Sequence, residues 1–265
     1  LRYSYGDVPF KPYVKELFAP NGLNVLRDAP HDHLHHHALM FALAVDGVNY
    51  WEEMPAAGRQ GHARFSDVVV EEQGGLPNAG FTERLDWTDA SGQRALQEQR
   101  TIHVCQTTEP KATVVFWQSR LSVPEGKPSV TLTGAHYFGL GIRFIQAMDG
   151  VGSFRNADGN PGTVFRGEEK LVRSDWCAYT AQVDGKDVTV AMFGNPENAR
   201  HPTMWFTMTK PFAYLAATLG LHETPLELAT GRALTLRYGV ALCDGAATSE
   251  QIDLLYRQWL KSVSK

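Results

Sequence analysis

The 265-residue chain carries 25 lysines and arginines against 29 aspartates and glutamates, a formal net charge of −4. That balance, with no dense basic cluster, gives no electrostatic footprint for nucleic acid. With 43% hydrophobic and 20% charged residues the composition is that of a globular protein, and no uncharged apolar run reaches the ~18 residues of a membrane span.

Short alternating segments punctuated by turn residues every ~8–12 positions predict an all-β chain. Val14–Phe18 reads as an early strand ended by Ala19-Pro20-Asn21-Gly22. The next segment, His31-Asp32-His33-Leu34-His35-His36-His37, runs into the apolar strand Ala38–Val45. Asp46-Gly47 between Phe41–Val45 and Val48–Trp51 signals a hairpin, because both central positions of a type I′ turn need positive φ. His62–Glu72, Phe81–Trp87, Arg94–Gln106 and Ala112–Leu121 read as a long meander, their lengths suited to a large twisted sheet. Tyr137–Phe144 holds glycines at 139 and 141, which in a strand mark a bulge or a close backbone approach.

Residues 147–171 are glycine-rich but lack the strand-then-helix context of a phosphate loop, so they read as an excursion over one face. Asp184-Gly185 marks a second hairpin, and further strands follow to Cys243. Thr248 with Gln251 forms a capping-box pattern that opens a C-terminal helix over about residues 249–263, with Ile252, Leu255, Tyr256, Trp259 and Val263 on one face. No repeat or low-complexity linker divides residues 1–265, so one domain is expected. Cys105, Cys177 and Cys243 form no CxxC pair and read as buried thiols, one disulfide remaining open. Leu1 fits removal of an initiator methionine or of a signal peptide alike.

Five of the ten histidines lie in residues 31–37, which makes this segment the first candidate site. If the segment is extended, His33, His35 and His37 share one face and His36 takes the other. Three readings stay open: proton transfer with Asp32 orienting a ring, a divalent metal held by His33, His35 and a distant partner, or solvated structural histidines. No metal or other cofactor is predicted. A second group, Asn195, Asn198, Arg200 and His201 near Trp205, offers forked donors and a flat apolar face for a polyhydroxylated or carboxylated ligand. A third comprises His136, Tyr137 and Arg143. An arginine in an apolar strand must pair with a carboxylate, such as Asp175 or Glu227, or face a ligand cavity.

Asp32-His33-Leu34-His35-His36 before an apolar strand, with Asp46-Gly47-Val48 and Trp51, resembles the Asp-His-Pro-His-His signature of the PmoA-like bacterial family. Asn195-Pro196-Glu197-Asn198-Ala199-Arg200-His201-Pro202 and Trp205 resemble that family's Asn-Pro-x-Asn-x-Arg-x-Pro-x-x-Trp pattern. The resemblance covers roughly residues 10–245 and departs at Leu34, where proline is usual, and at His37, where arginine is usual. The family's methane-oxygenase name is not carried over, since such a membrane subunit needs spanning helices.

The resemblance implies an antiparallel β-supersandwich similar to galactose mutarotase. It also implies a carbohydrate ligand and export to the periplasm or beyond, the cytoplasm being the alternative. On this reading His35 or His36 serves as general acid or base and Asp32 orients a ring. His33, His136, Asn198, Arg143 and Arg200 bind substrate, and Trp51 or Trp205 stacks on the sugar. Epimerisation, β-elimination and hydrolysis all fit, and a non-catalytic carbohydrate-binding protein is the runner-up. The oligomeric state is left open.

Overall fold

The computed structural model describes residues 1–6, 10–73 and 75–263. The chain opens with β1 (Arg2–Ser4) and β2 (Tyr13–Glu16). After the histidine segment come β3 (Leu39–Ala42), β4 (Ala44–Val45) and β5 (Val48–Asn49). Four long strands follow: β6 (Arg59–Gln73), β7 (Leu76–Thr88), β8 (Arg94–Thr108) and β9 (Lys111–Ser122). β10 (Ser129–Thr133) and β11 (Gly139–Arg143) precede the glycine-rich excursion, which itself carries β12 (Ser153–Asn156), β13 (Thr163–Arg166) and β14 (Glu169–Arg173). β15 (Trp176–Val183), β16 (Lys186–Gly194), β17 (Met204–Met208), β18 (Tyr214–Thr218), β19 (Leu226–Ala229) and β20 (Ala233–Asp244) complete the strands, and α1 (Ser249–Val263) closes the chain.

The strands form two eight-stranded antiparallel sheets, in the orders β1-β2-β3-β11-β18-β17-β14-β13 and β12-β15-β16-β20-β9-β8-β7-β6. A small sheet, β19-β10-β4-β5, flanks them. Phe41, Leu140 and Trp205 of the first large sheet share one apolar cluster with Trp87, Trp117 and Val190 of the second, so the two sheets form a sandwich. This is the expected all-β architecture. Alternation within β7 and β8 explains it: Leu85, Trp87, Leu96 and Ile102 are buried while Arg84 and Gln99 between them are exposed.

The local signals hold. Asp46 and Gly47 take φ of 50° and 81°, and Asp184 and Gly185 take 50° and 76°, the left-handed values that type I′ hairpins need. Thr248 and Gln251 exchange capping bonds of 2.8 and 3.3 Å. Ile252, Leu255, Tyr256 and Trp259 bury against Phe193 and Trp176 on the outer face of the second sheet. All three cysteines are free, Cys105 only half buried. The glycines of β11 mark close approach: a Cβ on Gly139 would lie 2.0 Å from the Ala217 carbonyl oxygen, and one on Gly141 the same distance from the Tyr214 hydroxyl.

The histidine segment is not extended. It folds as consecutive turns, with His33 N–H donating to Pro30 O, His36 N–H to His33 O and Ala29 N–H to His36 O, each at 2.9 Å. Ala29 and Ala38, at its two ends, take left-handed φ of 41° and 47°. Alanine rarely adopts such values, so the surrounding packing must hold this bend. The expected split of odd and even side chains onto two faces is replaced by a ring cluster.

Candidate functional site

The turns gather three imidazoles. His33 stacks on His36 with centroids 4.6 Å apart, and His35 meets His36 edge-on at 4.7 Å. Leu34 points outward, 65% exposed. His37 faces away: its Nδ1 lies 2.7 Å from Asp28 and its Nε2 2.9 Å from Glu53, with Lys11 Nζ 2.8 Å from the same Glu53 oxygen. Lys11 also donates to the Trp51 carbonyl. This buried network pins the histidine turn to the segment after β5.

That segment supplies Glu52, whose Oε2 lies 3.3 Å from His35 Nδ1. Burial lowers the His35 pKa, and the Glu52 charge opposes that shift without cancelling it. His36 is buried further. Desolvation, with the charges of His35, His33 and Arg143, pushes its pKa down to about 2, so it is neutral under all ordinary conditions.

Arg143, on β11, places Nη2 3.3 Å from Asp32 Oδ2 and its guanidinium 3.5 Å above the Phe212 ring. Its carboxylate partner is therefore Asp32, not Asp175 or Glu227. Asp32 sits beside His33, at 3.2 Å from Nδ1, rather than beside His35 or His36. Through Arg143 it ties the histidine turn to the sheet.

The opposite wall comes from the excursion. The β13–β14 hairpin brings in Arg166 and Glu169, joined at 2.7 Å, and His136 Nε2 holds the other Glu169 oxygen at 2.9 Å. Tyr137, Phe206, Phe212 and Tyr214 complete a cleft of about 210 Å³ that His33, His35, His36, Trp51 and Glu52 also line. Trp51 is fully buried and stacked on Phe138, 5.0 Å between centroids, so it forms part of the floor and not a platform on which a sugar could lie.

Three expected site residues belong elsewhere. Arg200 donates to four carbonyls, of Leu219, Gly220, Thr224 and Pro225, and so clamps the turn after β18. Asn198 braces the β20 backbone through Arg237 N–H and C=O, both at 2.7 Å. Trp205 is core, its indole N–H on the Ser174 carbonyl. Their motif reflects loop geometry rather than a ligand. His136 is not in the cleft lining and backs it through Glu169 and through ring contacts with Tyr137 and Phe206.

Sequence reasoning missed Glu52, Arg166, Glu169, Phe212 and Tyr214 as cleft residues. The excursion over one face was the available signal for Arg166 and Glu169. Nothing local marks Phe212 or Tyr214. Among the described residues no three His, Cys, Asp or Glu side chains are grouped to hold a metal ion, so the His33–His35 metal reading finds no third ligand.

Five buried polar side-chain atoms near the cleft lack a hydrogen-bond partner among the described residues. They are His36 Nδ1, Trp51 Nε1 and Tyr214 Oη on cleft-lining residues, and Nε and Nη1 of Arg143, which does not itself line the cleft.

A family model described as a family of unknown function (DUF6807) matches residues 1–257. The PmoA-like name is not part of that description. No curated protein matches the sequence. Among solved structures, the chain is similar to the GH36 α-galactosidase AgaA from Geobacillus stearothermophilus, at 10% identity and a TM-score of 0.47, covering 77% of this chain and 30% of that one. It is also similar to the α-galactosidase from Lactobacillus brevis, at 9% identity and a TM-score of 0.48, covering 95% of this chain and 35% of that one. The chain thus spans about a third of the length of these enzymes.

Proposed function

We propose that this chain, which belongs to the DUF6807 family of unknown function, is a carbohydrate-active enzyme in which His35, set against Glu52, moves a proton on a sugar bound in the histidine-lined cleft. The observation that carries this reading is the His35–Glu52 pair, 3.3 Å apart, in the lining of an aromatic-walled cleft. A polyhydroxylated ring supplies hydroxyls to the polar groups lining the cleft, while the flat faces of Tyr137, Phe206 and Phe212 suit its apolar C–H surface.

Each residue has a distinct part. His35 is neutral near pH 7 because burial lowers its pKa, and Glu52 steadies the imidazolium formed when it takes a proton. His36, held neutral, accepts or donates one hydrogen bond to a hydroxyl. Arg143 does not line the cleft and acts through Asp32 and Phe212, which it holds in place. Glu169, fixed by Arg166 and His136, faces the ligand from the opposite wall.

The cleft is smaller than the ~300–1,000 Å³ of drug-sized sites. That favours a single ring, free or at a chain end, and an isomerising proton transfer such as epimerisation, over cleavage inside a long chain. Proton NMR of a panel of monosaccharides and short oligosaccharides in D₂O tests this. The expected result is enzyme-dependent conversion or deuterium exchange of at least one sugar. Binding of sugars without any conversion, or neither binding nor conversion, contradicts the reading.

A further inference from the structure

The outer face of the second large sheet is covered by α1 at one end only. At the bare end Arg64, Arg84, Gln99 and Arg120 stand in one cross-strand row, paired in register from β6 through β9. All four are exposed, and with Ser66 and Gln97 they border a shallow depression of about 310 Å³. None of the three arginines makes an ion pair or a hydrogen bond among the described residues. The neighbouring acids are engaged: Asp86 by Arg94 at 3.0 Å and Gln97 at 3.2 Å, Glu71 by the Asn78 amide at 2.7 Å, and Asp67 by the Ser66 hydroxyl at 2.9 Å.

Arg64 is directly opposite Arg84, and like charges so placed destabilise a sheet. A register shift between His62 and Arg64 produces this arrangement. In unbroken register Ala63 would face Arg84, and Arg64 would face Glu83, a carboxylate on the inner side. The bulge turns Arg64 away from an acid and toward a second arginine. Bulges that re-aim a side chain in this way are common beside functional sites.

We infer that this face binds an acidic polysaccharide, one bearing carboxylate or sulfate groups. The Arg64–Arg84 pair makes one anion site. Arg120, two strands beyond Arg84, makes another about 10 Å away at ~4.8 Å per strand. A polymer with repeated charges spans both. Gln99, on the strand between Arg84 and Arg120, matches a sugar hydroxyl. A nucleic acid fits less well, because the chain is net negative and no aromatic side chain lines the depression for base stacking. The surface lies apart from the histidine cleft and does not depend on what the cleft does.

Affinity electrophoresis in gels containing polygalacturonate tests the inference, with neutral galactan gels and double-stranded DNA as competitor. Retardation is expected in polygalacturonate and not in galactan. Arg64→Gln, Arg84→Gln and Arg120→Gln are each expected to weaken it by about twofold to fivefold, the range for exposed charge pairs, and the triple variant to abolish it. Because the substitutions relieve repulsion, the Tm of the triple variant should not fall. A Tm that does fall shows a structural role and overturns the inference. So do absence of retardation, equal retardation of the triple variant or in galactan, and displacement by DNA at the same charge concentration.

Discussion

Glu52 Oε2 lies 3.3 Å from His35 Nδ1, and the two residues reach each other from opposite ends of the β3–β5 meander. The Glu52 charge raises the His35 pKa against the stronger lowering by burial. Glu52→Gln removes that support, so the imidazole stays unprotonated to lower pH. The acid limb of the kcat/KM profile of the variant should therefore move down in pH. Its plateau should also fall, by ~10- to 100-fold, since the imidazolium loses its counter-charge. A pH–rate series on both proteins checks the direction.

His37 sits between Asp28 and Glu53, and its pKa is raised above the ordinary 6.5: burial opposes the charge, but the two carboxylate hydrogen bonds outweigh it. A raised pKa means stability that is fully present below pH 6.5 and lost as pH climbs through the folded value. Asp28 and Glu53 are both lowered, so their share is present above 3.8 and 4.5 and lost as pH falls through their folded values. The network should thus contribute most on the weakly acidic side of neutrality. His37→Gln is expected to cost about 3 kcal/mol near pH 6 and less near pH 9, measured by urea unfolding at each pH.

Gly141 leaves the space that the Tyr214 hydroxyl occupies, with a Cβ position 2.0 Å from that oxygen. Gly141→Ala must push Tyr214 toward the cleft or bend β11. The expected outcome is a loss of ~1–3 kcal/mol with a weakened sugar affinity. Differential scanning calorimetry and ligand titration on the same preparation would show both.

Arg143 and Arg200 make a contrast that separates site from scaffold. Arg143→Lys loses the planar fork that reaches Asp32 and lies on Phe212, so sugar affinity should drop about tenfold. Arg200→Ala releases four loop carbonyls and should cost ~1–3 kcal/mol of stability while leaving kcat unchanged. Calorimetric binding and turnover on the two variants distinguish them.

Why some of this was legible in the sequence follows from range. The Asp-Gly hairpins, the Thr248 cap, the long meander and the apolar face of α1 depend on a few adjacent residues, and each forms as read. The importance of the histidine segment was also visible, but its conformation was not. Two alanines held at positive φ and a network of Asp28, His37, Glu53 and Lys11, drawn from distant positions, decide that it turns instead of extending. Arg166 and Glu169 enter the cleft because a hairpin from the excursion docks beside β17, a long-range event: the glycine-rich stretch marks the excursion but not where it docks. The Asn198–Arg200–Trp205 motif misled for the opposite reason: amides and a guanidinium that would suit a ligand are here used up on backbone.

The central claim is that His35 moves a proton on a bound sugar, and the turnover of His35→Gln measured beside its sugar affinity tests it most directly. The account predicts a kcat at least ~100-fold below that of the unsubstituted protein, with affinity changed less than about fivefold. A variant that binds and turns over sugar as the unsubstituted protein does would contradict it.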